Sequence, residues 1–212
     1  MPRIWDISEP ISPDTAVFPG DTPFSARWVA KLAEGASCNV SAIEMSVHCG
    51  THTDAPVHFA DGSPDMASVP LEAYIGRCRV VDMPGEGSPP LIPAARLTPE
   101  ALDEAERVLF RTSRSHDPSV FDQEFTAVGP EAAEVLVAAG IRLVGIDTPS
   151  MDFAASKDLA AHHVLYRGGV AILENLDLSD VEPGDYELIA LPLKIVGSDS
   201  SPVRAVLREL TP

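Results

Sequence analysis

Histidine or aspartate stands at positions 48, 52, 54 and 58 of this chain, within His48-Cys49-Gly50-Thr51-His52-Thr53-Asp54-Ala55-Pro56-Val57-His58-Phe59. Half of the six histidines lie there. A fold that takes this stretch out of water must supply a partner for every one of those polar groups, since an unpaired buried polar group costs on the order of several kcal/mol. Neutral imidazole and carboxylate are the donors that divalent cations accept. A strand places every second side chain on one face, so the spacing predicts His48, His52 and Asp54 projecting together, with Gly50 between them leaving room for an ion. Pro56 ends regular pairing and turns the chain, which predicts that His58 swings back over the site as a general acid or base rather than a ligand. Cys49 is out of phase with the histidines and reads as a packed side chain on the opposite face. The helical zinc motif with two histidines four apart and a glutamate between them is absent, because residues 49 to 51 contain no glutamate.

A second cluster follows at Asp158-Leu159-Ala160-Ala161-His162-His163-Val164-Leu165-Tyr166-Arg167-Gly168-Gly169. Alanine and leucine predict a short helix over 158–165 with Gly168 at its C-terminal end. Adjacent helical residues point about a hundred degrees apart, so at most one of His162 and His163 faces a given site. Val170-Ala171-Ile172-Leu173-Glu174-Asn175-Leu176 is an apolar run of strand length interrupted by a carboxylate. Glu174 needs an ion, an arginine or a helix terminus beside it, and with one of the histidines it can complete a second metal position.

Residues 48 to 59 carry His-x-Gly-Thr-His-x-Asp-x-Pro-x-His-Phe throughout, and on that motif the chain resembles the metal-dependent cyclase family. Trp5-Asp6-Ile7-Ser8, Pro19-Gly20-Asp21-Thr22-Pro23-Phe24, His162-His163, Leu173-Glu174, Ile189-Ala190-Leu191-Pro192-Leu193 and Ser201-Pro202-Val203-Arg204-Ala205-Val206-Leu207-Arg208 extend the likeness from end to end and point to its formamidase branch. The resemblance implies a swivelling β/β/α fold with a central barrel-like sheet, and homodimers with a pocket near the interface. It implies two zinc ions per subunit, one held by His48, His52 and Asp54 and the other by Asp54, His162 and Glu174, with Asp54 as the bridge. Manganese or another divalent ion suits the same donors. His58 then moves protons, in agreement with the turn expected at Pro56. The family's tryptophan just before Pro-Gly-Asp is Phe18 here, which keeps the aromatic surface for substrate contact and loses the indole donor. The reaction implied is hydrolysis of N-formyl-L-kynurenine to L-kynurenine and formate by a metal-activated water. Another amide-opening activity of the family, such as one on isatin, uses the same residues. A non-enzymatic metal-stabilised binding protein is a third reading, for which His58 and an open ion position have no purpose.

The remaining sequence sets limits. A chain of 212 residues, 45% of them hydrophobic, is long enough for one domain over 1–212. Fifteen basic residues against 32 acidic give a charge of −17, which argues against nucleic acid and anionic membrane and leaves a small molecule as the expected partner. The amino terminus lacks the apolar core of a signal peptide and no twenty-residue apolar span occurs, so a cytoplasmic protein is expected. Cys38, Cys49 and Cys78 form no Cys-x-x-Cys pattern and no disulfide framework. No Gly-x-Ser-x-Gly pentapeptide offers a nucleophilic serine. Asp103-Glu104-Ala105-Glu106 reads as an exposed helix face, Asp117, Asp122 and Glu124 as solvated surface, and His116 as an unassigned loop histidine. Asp147-Thr148-Pro149-Ser150 reads either as a strand end near the pocket or as a turn capped by Asp147. Strands are expected at about 25–32, 40–48, 78–83, 107–111, 141–146, 169–174, 186–195 and 203–208, and helices at 99–105, 130–139 and 158–165, giving a mixed α/β chain.

Overall fold

Runs of Val, Leu, Ile and Phe bounded by turns form strands buried on both faces, and such strands pair in parallel beneath helices. β6 (Arg107–Arg111), β7 (Leu143–Ile146) and β8 (Ala171–Glu174) are of this kind. With β5 (Ile75–Asp82) they make the parallel centre of the sheet, in the order β5-β6-β7-β8. The computed structural model describes residues 2–88, 90–103, 105–113 and 117–210.

Antiparallel strands extend this centre on both sides. β9 (Gly184–Ile189), β11 (Val206–Glu209) and β1 (Ile4–Asp6) continue from β5, while β4 (His52–Asp54) and β10 (Ser200–Pro202) continue from β8. The nine strands run β1-β11-β9-β5-β6-β7-β8-β4-β10. The sheet curls far enough for its two halves to meet. Ser8, just past β1, bridges to Leu176, just past β8, and Ile7 takes the Asp177 N–H on its carbonyl at 3.0 Å.

The period of two along each strand separates two cores. Val108, Phe110, Val144, Ile146 and Ile172 face the helices, with Leu136, Ala161 and Leu165 packed against them. Leu109, Leu143 and Leu173 face the inside of the curl, where they meet Ile7, Tyr74, Cys78, Leu188 and Leu207. Gly145 faces the inside as well, and a Cβ there would lie 2.5 Å from Leu109 Cδ2 and 2.7 Å from Leu176 Cδ1, so the curl leaves no room for a larger residue.

Three helices are short. α1 (Pro99–Leu102) is opened by Thr98, whose hydroxyl accepts from Ala101 N, and is stopped by Asp103 in the left-handed region at φ 41°. It therefore ends before the expected 105, and Ala105 is buried rather than part of an exposed helix face. Glu104 and His116 lie outside the described residues. α2 (Pro130–Ala138) follows the expected start and stop closely. α3 (Ala160–Arg167) begins two residues later than expected, because the Asp152 carboxylate accepts from Ala161 N and His162 N, each at 3.0 Å, and so fixes the first turn.

The expected strand at 25–32 forms, as β2 (Ser25–Ala30), but it pairs only with β3 (Val40–Glu44) in a two-stranded ribbon separate from the sheet. Residues 190–195 leave the strand expected over 186–195, which ends at Ile189. The one-face reading of residues 48–54 is corrected. Only His52 to Asp54 are extended, while residues 48–51 form a turn with Gly50 at φ +67°. Gly50 does not face the ion position. A Cβ there would meet Ile11 Cγ1 at 3.0 Å, so the residue serves the left-handed turn and the passage of Ile11.

Candidate metal centre

His52 and Asp54 project together from β4, and the register sets His52 opposite Glu174 on β8. The turn at Gly50 returns His48 to the same place, and α3 delivers His162. Side chains from one strand, one turn, one helix and one neighbouring strand end thus converge. His52, Asp54, His162 and Glu174 are all 5% exposed or less. His162 lines the cavity and His163 does not, as the helical geometry requires, although both rings meet Phe59.

The contacts sort the imidazole nitrogens into two groups. His52 Nδ1 donates to Gly50 O at 2.8 Å, His162 Nδ1 lies 2.7 Å from Asp152 Oδ2, and His48 Nε2 lies 3.0 Å from Asp199 Oδ2. These outward nitrogens have acceptors, so they carry the proton of each neutral ring. The inward nitrogens face carboxylates. His48 Nδ1 and His52 Nε2 stand 3.2 and 3.6 Å from Asp54 Oδ1, and His162 Nε2 stands 3.6 Å from Asp54 Oδ2. Glu174 lies 3.3 Å from His52 Nε2 through Oε2 and 3.4 Å from His162 Nε2 through Oε1. Glu174 Oε1 also accepts from Met151 N at 2.8 Å. Both Asp54 oxygens are buried without a hydrogen-bond partner among the described residues, because His52 and His162 stand too far off at 3.6 Å and His48 is not aligned.

Lone pairs of three imidazoles therefore meet the oxygens of two buried carboxylates, with no proton between them when the rings are neutral. Such a donor set is relieved either by protons or by a cation. The titration behaviour follows from this. Burial works against charge on His48, yet Asp54 and Asp199 outweigh it and raise the ring to about 9. His52 is raised against its burial by Glu174 and Asp54, and His162 well above its usual value by Asp152, Asp54 and Glu174. Burial pushes the Asp54 carboxyl up, but His162 and His48 hold it well below the usual range. Glu174 is held down by His162 and His52 against burial and the charge of Asp54. A divalent cation replaces those protons with nitrogen and oxygen donors already in place, so the residues fit a metal.

His52, Asp54 and Glu174 have donor atoms within 4.8 Å of one another, and so do His48, Asp54 and His58. Asp54 belongs to both sets. Its Oδ1 faces His48 and His52 while its Oδ2 faces His162. His58 sits at the end of the tight turn Pro56–His58, its ring centroid 4.4 Å from that of His48 and its Nδ1 3.1 Å from Asp199 Oδ2. Pro56 does turn the chain as its ring requires. Cys49 is fully buried, and burial together with the Glu9 charge raises its thiol.

These groups line the floor of a cavity of about 1050 Å³. Phe18 stands in its wall, half exposed, with its ring edge-on to Phe121 at 5.4 Å, and Phe121 meets Phe125 at 6.4 Å. Asp147 lies at a strand end beside the cavity, and the turn it caps is that of Thr112 and Ser113 rather than its own. Its carboxylate accepts from Thr112 N at 2.8 Å and from Ser113 N at 3.2 Å, capping that turn, and it lines the cavity, where burial raises its pKa. Four residues of the site had no signal in the sequence: Asp152 and Asp199, which hold the outward imidazole nitrogens, and the aromatic Phe121 and Phe125. Asp117, Asp122 and Glu124 line the same cavity rather than a remote surface.

A buried set of inward lone pairs at the floor of an open, aromatic-walled cavity defines a class of protein that holds a divalent cation where a small molecule can reach it. Within that class, the chain belongs to the cyclase family, since the family model described as "Putative cyclase" matches residues 5–153. It is 50% identical over 210 residues to the kynurenine formamidase of Bordetella avium (strain 197N), covering 99% of this chain and 100% of that one. Among solved structures it is similar to a predicted metal-dependent hydrolase from Bacillus stearothermophilus, 31% identical with a TM-score of 0.82 over 99% of this chain and 100% of the other. Isatin hydrolase A from Labrenzia aggregata matches at 26% identity and a TM-score of 0.77, over 99% of this chain and 94% of its own.

Proposed function

We propose that this chain hydrolyses N-formyl-L-kynurenine to L-kynurenine and formate, as an arylformamidase of the cyclase family. The observation that carries this reading is the end-to-end likeness, at 50% identity, to a kynurenine formamidase. Opening of a cyclic amide such as isatin is the second reading, and it rests on the 26% likeness to an isatin hydrolase. In this reading His48, His52 and Asp54 hold one cation and Asp54, His162 and Glu174 the other, zinc being the ion in view and manganese the alternative the same donors accept. Bound there, a divalent cation acts as a Lewis acid, lowering the pKa of water toward neutrality and taking up charge that develops on the carbonyl oxygen.

The chain's own residues do the rest. Gly50 O, Asp152 and Asp199 hold the three imidazoles in the tautomer that leaves the inward nitrogen unprotonated. Water oxygen adds to the formyl carbon, and the carbon–nitrogen bond breaks. The arylamine nitrogen must be protonated to leave, and His58, bordering the cavity floor, takes a proton from water and returns one to that nitrogen. Phe18 offers its ring to the aryl part of the substrate. Neither step needs a nucleophilic side chain.

The same reading includes a homodimer. Its support is the β2–β3 ribbon, which pairs with no strand of the large sheet and exposes Trp28, Val29 and Ile43 at 58 to 60% along with Leu32 and Val40. An exposed apolar ribbon of this kind is the surface on which a second copy would pack. No helix among the described residues is long and apolar enough to cross a membrane.

The test is turnover of N-formyl-L-kynurenine by the purified protein as prepared, after chelation, and after zinc or manganese is restored, with isatin run in parallel. Metal-dependent kynurenine formation supports the reading. Metal-dependent opening of isatin without turnover of the formamide moves it to the second one.

A further inference from the structure

Asp199 contacts both imidazoles that border the cavity without lying deep in the cage. Its single oxygen Oδ2 stands 3.0 Å from His48 Nε2 and 3.1 Å from His58 Nδ1. The carboxylate comes from the segment leading into β10, and its main chain is fixed separately, since Asp199 O accepts from Ala55 N at 2.8 Å just past β4. The side chain is therefore not needed to hold the backbone there. It faces the two rings and is about half exposed.

A carboxylate oxygen only accepts, so each ring must present an N–H to it. For His48 that leaves Nδ1, the nitrogen facing Asp54, as the lone pair. For His58 it leaves Nε2. We propose that Asp199 is a positioning residue that fixes the tautomer of both rings at once, so that the nitrogen of His58 able to take a proton is Nε2 and the nitrogen of His48 able to donate a lone pair is Nδ1. The inference rests on the role given to His58 in the proposed function.

The shared oxygen has a consequence for the pair. The His58 ring lies 4.4 Å from the His48 ring at an interplanar angle of 43°. Without the carboxylate His48 keeps only its contact with Asp54, and His58, which packs against Phe59, has no second acceptor among the described contacts and is free to turn over and present the wrong nitrogen. Asp199 acts on catalysis only through those imidazoles.

The experiment uses the metal-loaded protein with Asp199→Asn and Asp199→Ala, each also made in a His58→Ala background. Removing an outer carboxylate of this kind costs about ten- to a hundredfold in metal affinity or activity. At saturating zinc we expect kcat to fall by about that factor, with KM changed less than about twofold and the zinc content kept. In the His58→Ala background the same substitution costs clearly less than in the parent, because one of the two rings it positions is gone and only the contact to His48 is left to lose. Nitrogen-15 spectra of ring-labelled histidine, taken on zinc-loaded protein, give a readout that needs no substrate: His58 protonated on Nδ1 in the parent protein and shifted toward Nε2–H in both variants. An unchanged kcat in Asp199→Asn, a loss that adds in full to that of His58→Ala, or a His58 tautomer indifferent to the substitution each overturns the proposal. Failure of the parent protein to turn over N-formyl-L-kynurenine strikes the functional reading instead, and the nitrogen spectra still decide the role of Asp199.

Discussion

Chelated protein should lose thermal stability as the pH rises from 6.5 to 9, and metal-loaded protein should not. In the chelated chain the carboxylates of Asp54 and Asp199 keep His48 protonated up to about 9, against 6.5 for a free ring. A group raised on folding stabilises fully below its unfolded value and loses that contribution as the pH climbs through its folded one. At about 1.4 kcal/mol per pH unit the gap is worth at most about 3 kcal/mol. For a chain of this length each kcal/mol moves the melting temperature by roughly 2–4 °C, so His48 alone accounts for a fall of up to roughly 6–12 °C. His52 and His162 are raised too and act in the same direction. The window closes at pH 9, because above it the buried Cys78 thiol, pushed up to about 12, adds a loss of its own. Zinc or manganese requires unprotonated ligands, so its stabilising effect grows with pH. Melting curves by circular dichroism, with and without a chelator at pH 6.5 and 9, measure both trends. A chelated protein whose melting temperature is flat or rising over that range, or a metal-induced shift equal at both ends, refutes the argument that protons and a cation compete for this cage.

Three further outcomes are expected. His58→Ala should keep its metal and lose about a hundredfold or more in turnover, whereas Asp54→Ala should lose metal as well, as read by elemental analysis after gel filtration; equal metal loss in both makes His58 a ligand. Gly50→Ala should lower stability by about 1–2 kcal/mol, since an alanine must adopt φ +67° and press on Ile11, and a melting temperature within a degree of the parent's would show that the turn tolerates a side chain. Trp28→Asp should shift the sedimentation coefficient to that of a monomer if the β2–β3 ribbon is the contact between copies, and an unchanged coefficient places any such contact elsewhere.

What the sequence disclosed and what it withheld differ by range along the chain. The cluster at 48–58 is legible because its donors lie close together, but the route is not: period two suits His52 and Asp54, whereas His48 arrives through a left-handed turn that a run of extended residues does not announce. The buried strands β6, β7 and β8 carried their own apolar signal. β10 did not, because Ser200-Ser201-Pro202 has low strand propensity and is extended only by pairing with β4. That pairing is also what sets Asp199 beside His58, 141 residues away, so no local pattern could have pointed to it. Asp152 escaped notice for a related reason, since its role as a helix cap and as a partner of His162 depends on the loop that precedes α3. The exposed apolar face of β2 and β3 looked like any other strand, because periodicity records amphipathicity and not whether a partner element exists.

The register that sets His52 opposite Glu174 makes the cage a late event in folding. Thr53, between the two cage residues of β4, bonds the carbonyl of Ile172 across 119 residues of chain, and β8 is tied to β5 through the parallel strands β6 and β7. Loops of that length close slowly, and topologies built on them fold slowly. A nascent or unfolded chain therefore offers a cation only the short segment from His48 to His58, and the full donor set exists only once the sheet has closed. Metal loading is then a property of the finished fold rather than a nucleus for it, and refolding should proceed at the same rate with or without the ion, the ion slowing only the unfolding.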